Sequence, residues 1–75
     1  MICRDEEAIL TIDLPTYRLK RGDIGTVVEI DKLGRATLEF SSLDGKTLAI
    51  VLVLINDIRP VNSGEIAHAR TWLWC

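Results

Sequence analysis

The chain is poor in the residues that carry chemistry. It has one histidine, His68, and two cysteines, Cys3 and Cys75, which sit at opposite ends with no CxxC pair between them. Such a set assembles neither a zinc cage nor a disulfide framework, and it fits a reducing cytosol. Long hydrophobic runs are missing as well: the longest, Leu48 to Ile55, falls far short of a bilayer. Arg4, Asp5, Glu6 and Glu7 stand where a signal peptide needs its apolar core. The expectation is a cytoplasmic protein with no visible export signal and no membrane span. Positive charge is not in excess either. The formal net charge is -2 and the pI about 5.2, so no overall field draws the chain to phosphate backbones or anionic lipid.

What remains is a folding sequence. With 75 residues, 48% of them hydrophobic and 27% charged, it forms one soluble globular domain. A domain of that size buries only roughly 60% of the surface its unfolded chain exposes, so modest stability is expected.

Turn signals divide the chain at short intervals. Ala8 to Leu14 (AILTIDL) is rich in β-formers and runs into Pro15, which cannot donate to a ladder, so it predicts a first strand. Pro15 to Lys20 is a polar loop. After Gly22-Asp23 and Gly25, the β-branched run Thr26 to Ile30 predicts a second strand, with Gly25 easing the entry into a bent segment. Lys32 to Arg35 is a turn with Gly34 at a positive φ, and Ala36 to Phe40 then alternates apolar with polar as a third strand. The Asp44-Gly45 hairpin cue leads into a fourth strand, Leu48 to Leu54. Asn56 to Ile58 reads as one helical turn, and Arg59 to Val61 as a short fifth strand that Pro60 confines to an edge. Five short strands without an amphipathic helix among them predict an all-β fold, a small closed or half-closed barrel. Its expected core is Leu10, Leu14, Val27, Val28, Ile30, Leu38, Phe40 and Ile58.

The segments GDIGTVVEI, ATLEF, LDGKT and DIRPV resemble those of SH3-like barrels, including the KOW-type ribosomal and transcription modules. More narrowly, Ala8 to Val61 resembles a bacterial family of unknown function, number 4926 among such domains. The likeness rests on Pro15, Arg21-Gly22-Asp23, Gly25, Leu38-Glu39-Phe40, Asp44-Gly45 and Arg59-Pro60. It implies an SH3-like barrel over residues 8–61, between an N-terminal arm (1–7) and a C-terminal tail (62–75). It also implies, as an expectation about function, an antitoxin-like or immunity-like role beside a larger partner. Ala36 stands where the family more often has an aromatic residue, which thins the core or leaves room for a neighbour. The tail runs past the family's usual end.

Chemistry-bearing constellations are sparse. His68 has no legible carboxylate or hydroxyl partner and reads as a solvated residue of a tail helix. Glu29, Asp31 and Glu39 read as a solvated outer face of strands two and three. Gly22, Gly25 and Gly34 precede strands, where a phosphate-cradling loop would open a helix, so they read as turn glycines. No enzyme, cofactor, metal or small-molecule substrate is expected. Arg18, Lys20 and Arg21 beside Tyr17, with Arg35, form the one basic and aromatic set suited to nucleic acid, a disfavoured alternative given the acidic neighbours.

The fourth strand carries more information. Leu48 to Leu54 is apolar on both faces, whereas a strand with one wet face alternates. Something is expected to cover Ile50, Leu52 and Leu54. The candidates are a tail helix capped at Ser63, with Trp72, Leu73 and Trp74 near its end, or another copy of the protein, and a partner contact through Trp72 and Trp74 is the alternative. A tail with Arg70 as its lone cation does not suit a membrane surface. The expected function is a non-catalytic interaction module that self-associates or binds a partner protein through this face and the tail.

Overall fold

The alternation from Ala36 to Phe40 is the plainest local instruction in the chain, and it becomes the middle of a strand whose odd members face outward and whose Ala36, Leu38 and Phe40 are buried. The computed structural model describes residues 2–72. Five strands form one antiparallel sheet: β1 (Glu7–Leu10), β2 (Ile24–Ile30), β3 (Arg35–Ser41), β4 (Thr47–Leu54) and β5 (Ile58–Pro60). Their hydrogen-bonded order is β4-β3-β2-β1-β5, so successive hairpins give β1 to β4 and the last strand returns to pair with the first. The fold is all-β, as expected. β4 and β5 are the two edges of the sheet.

The core lies on one face. Ala8, Leu10, Leu19, Val27, Ala36, Leu38, Phe40, Val51, Val53 and Ile58 form a single buried cluster that contains no polar side chain. Burying such aliphatic and aromatic groups is the main favourable term in folding. Ala36 is fully buried and pairs across the ladder with Ile30 and Val53.

Tight turns follow the glycines. At Gly34 (φ 79°) the Asp31 carboxylate accepts from the amides of Leu33 and Arg35 and from the Arg35 guanidinium. At Gly45 (φ 92°) the amide donates to the Ser42 carbonyl, closing the β3–β4 hairpin. The helical turn expected at Asn56 to Ile58 is a 3₁₀ turn at Ile55–Asp57, and β5 does place Pro60 at a sheet edge.

Four local expectations need correction. β1 ends at Leu10, well before Leu14: the Thr11 amide turns to the Asp57 carbonyl, and Leu14 pairs with Leu19 across the 3₁₀ turn Pro15–Tyr17. Val28 is exposed and does not belong to the core, because it follows buried Val27 and successive side chains of a strand point to opposite faces. The β-bulge between Val27 and Glu29 instead resets the alternation, leaving Glu29 exposed and bringing Ile30 opposite buried Ala36. Gly25 has no positive φ; a Cβ there would lie 2.9 Å from Phe40 Cε2, so the glycine leaves space for a core ring. The tail from 62 to 72 is irregular, with no helix capped at Ser63.

Candidate functional site

Two surfaces remain after the core is assigned, and the tail decides how they are divided. Arg59 donates to both carboxylate oxygens of Glu65, at 2.7 and 2.6 Å, and Glu65 also accepts from the Asn62 amide. The Arg59 bonds foremost, and then the Asn62 amide, hold the Glu65 carboxyl down at about 2, while Glu65 raises Arg59. The tail is thereby latched to the β5 edge as it leaves the sheet. Farther on, Arg70 Nε donates to Asp23 Oδ1 at 2.8 Å, and Arg70 Nη2 donates to the other Asp23 oxygen and to the Arg18 carbonyl.

Trp72 then reaches the loop before β2. Its indole N–H donates to the Tyr17 carbonyl at 3.0 Å, and the Arg18 guanidinium lies 5.6 Å from its ring centroid. These contacts border an open cleft of about 450 Å³ lined by Thr16, Tyr17, Arg18, Leu48, Ala49, Ile50 and Trp72. Arg18 itself adopts the left-handed conformation (φ 58°) that ends the 3₁₀ turn.

The basic and aromatic set is therefore only partly assembled. Tyr17, Arg18, Lys20 and Arg21 share one exposed loop, with Tyr17 44% accessible. Acidic neighbours organise that loop, since Asp13 accepts the Arg21 amide and Asp23 accepts the Lys20 amide. Arg35 lies elsewhere. It opposes Leu54, at the far end of β4 from the cleft, roughly 20 Å along the strand at about 3.3 Å per residue. Its guanidinium is held by Asp31 at 2.6 Å, and the Arg35 amide, with this side chain and the Leu33 amide, keeps the Asp31 carboxyl below its usual range.

The outer face of β4 is uncovered among the described residues. Ile50, Leu52 and Leu54 are 62%, 54% and 54% exposed, and they stand in a row beside Glu39, Thr37 and Arg35 of β3. Trp72 lines the cleft together with Ile50 at the near end of this row, yet all three residues stay more than half exposed. Leu73 and Trp74, the other expected contact residues, and Cys75 lie outside the described residues. Of the carboxylates expected on the outer face, Glu39 accepts from the Thr47 hydroxyl and Asp31 organises its turn. His68 is exposed beside a second cleft that Glu7, Arg59 and Glu65 help to line. Cys3 is exposed.

Sequence reasoning missed the partners of Arg70 and Glu65. Both pair with residues that no periodicity connects to the tail. The one available signal was compositional: a lone tail cation, Arg70, in a chain that carries more carboxylates than cations.

Fold and surfaces together define a small antiparallel β-domain whose exposed features are an apolar edge strand and an aromatic, basic cleft. The chain belongs to the family described as Domain of unknown function (DUF4926), whose model matches residues 6–60. No curated protein and no solved structure matches it. No helix among the described residues is long and apolar enough to cross a membrane.

Proposed function

We propose that this protein is a non-catalytic interaction module whose contact surface is the outer face of β4. The observation that supports the reading is the row Ile50, Leu52 and Leu54, aliphatic and more than half exposed on an edge strand. Water contact with such a row is unfavourable by about 25 cal/mol per Å² of apolar surface, and association removes it. The cleft with Trp72 extends the surface at the Leu48 end of the strand. An antitoxin-like or immunity-like role would be one use of such a module.

The test compares wild-type chain with Leu52→Glu, by light scattering of the purified proteins and by affinity capture from the cells that encode them. The expected result is an assembly, with itself or with a second protein, that Leu52→Glu dissolves. A monomer whose co-purifying proteins are the same for both variants would defeat the reading.

A second reading, nucleic-acid binding, is favoured by one observation: Tyr17 and Trp72 flank a loop that exposes Arg18, Lys20 and Arg21. Such a site would stack bases and neutralise phosphates. It predicts a salt-dependent mobility shift with single-stranded oligonucleotides, abolished by Arg18→Glu/Arg21→Glu. No shift at low salt would dispose of it.

A further inference from the structure

The two edges of the sheet differ in how they meet solvent. β5 is three residues long, contains Arg59 and ends at Pro60, and the Arg59 side chain is held by Glu65 in the tail. Short length, charge and proline are the means by which natural sheets blunt their edges. β4 has none of these. Its eight residues, Thr47 to Leu54, include no charge, no proline and no glycine. A molecule with one protected and one open edge pairs once and then stops, which favours a closed pair over a filament.

The pleat restricts how two β4 strands can meet. Residues directly opposite in an antiparallel pair point to the same face, so exposed residues must meet exposed ones. With Leu52 on the two-fold axis, Ile50 of one copy stands opposite Leu54 of the other, and the aliphatic row is matched along its whole length. The adjoining β3 residues then supply the charges. Glu39 lies beside Ile50 and Arg35 beside Leu54, so each outer row reads Glu39, Ile50 in one copy and Leu54, Arg35 in the next. Moving the axis to Ile50 places Glu39 in line with Glu39, and moving it to Leu54 places Arg35 in line with Arg35. An axis at Val53 sets Ile50 opposite Asn56, beyond the strand, and one at Val51 sets Leu54 opposite half-buried Leu48, where the β4 register is irregular. The Leu52 register alone matches the three exposed aliphatic residues among themselves, and it sets each Glu39 in line with Arg35 of the other copy.

We propose that two copies of this chain pair antiparallel along the β4 edge, Leu52 against Leu52 about a two-fold axis, joining their sheets into one. The backbone groups of β4 gain partners, and six aliphatic side chains form a band across the junction. This identifies the partner in the interaction reading above and rests on it.

The test uses the full chain in two arms. In sedimentation, wild-type protein should be dimeric, and Leu52→Lys should weaken dimerisation by roughly tenfold or more, since it sets like charges across the axis. Leu52→Thr, which keeps strand propensity, should weaken it less, and circular dichroism of both variants checks that the sheet persists. In the second arm, single cysteines are placed in a Cys3→Ser/Cys75→Ser background and treated with a short bismaleimide. Leu52→Cys should cross-link to itself. Ile50→Cys and Leu54→Cys should cross-link to each other when mixed, and not to themselves. A monomer at every concentration, a dimer indifferent to Leu52→Lys, or self-linking of Ile50→Cys would each overturn the proposal. A purified monomer that still captures a second protein in a manner sensitive to Leu52→Glu would end the dimer and leave the interaction reading standing.

Discussion

Gly25 shows how a single residue carries two readings. In sequence it resembles a hinge before a β-branched run. In the structure it is buried, and a methyl group there would meet Phe40 Cε2 at 2.9 Å and Cζ at 3.0 Å. The ring belongs to the core and has little space to yield. Gly25→Ala should therefore destabilise by about 1–3 kcal/mol, seen as a lower urea midpoint at unchanged slope. The core itself was legible for Leu10, Val27, Leu38, Phe40 and Ile58, because their spacing follows the pleat. Val28 obeys the same pleat, outward beside inward Val27, whereas the bulge that returns Ile30 to the core side depends on how β3 pairs and was not legible.

Glu65 gives the residue scale a pH dependence. Its folded-state value of about 2 lies below the ordinary 4.5, so the latch to Arg59 contributes stability above pH 4.5 and loses it as pH falls toward 2. Arg59→Ala should return the Glu65 carboxyl toward its ordinary range, measured by carboxyl-carbon NMR titration. The same variant should leave the protection of the tail amides, taken relative to their intrinsic exchange rates, insensitive to pH over that interval. An unchanged Glu65 titration in Arg59→Ala would show that the pair does not hold the tail.

Among the elements, the tail departs most from its sequence reading. Residues 63 to 73 have an apolar spacing that suits a helix, yet so short a helix is marginal in water without tertiary support. The tail is instead held at two distant points, at Arg59 by Glu65 and at Asp23 by Arg70. Extended chain covers about 3.3 Å per residue against 1.5 Å for a helix, so spanning the molecule from β5 to the loop before β2 favours the irregular path. Trp72→Ala removes both the bond to the Tyr17 carbonyl and the ring beneath Arg18. Amide exchange and limited proteolysis of residues 62 to 72 should then quicken while β2 and β3 keep their protection. Trp72→Phe, which keeps a ring but loses the donor, should fall between. Equal rates in all three proteins would mean that the indole does not anchor the tail.

At the scale of the whole molecule, the balance concerns a small core and a surplus of apolar surface. Leu52 is more than half exposed, so replacing it within a single chain should change stability by no more than about 0.5 kcal/mol. Anything that binds the native state alone raises the unfolding temperature as its concentration rises. The thermal midpoint of the wild-type chain should therefore climb with protein concentration, and that of Leu52→Lys should stay flat. Calorimetry at several concentrations reads this directly. A wild-type midpoint independent of concentration would count against self-association.

Local order was written in the amino-acid sequence: the strands, the glycine turns at Gly34 and Gly45, the one-sided core and the excess of aliphatic residues on β4. Each depends on neighbours a few positions apart, where the period of the pleat and the conformational range of glycine act. The tertiary structure alone settled where a bulge returns Ile30 to the core side, why Gly25 has no side chain, and where the tail rests. Arg70 meets Asp23 from 47 positions away, and Trp72 meets Tyr17 from 55. Contacts at such separation leave no periodic trace in a sequence, because they form only once the sheet has brought their elements together.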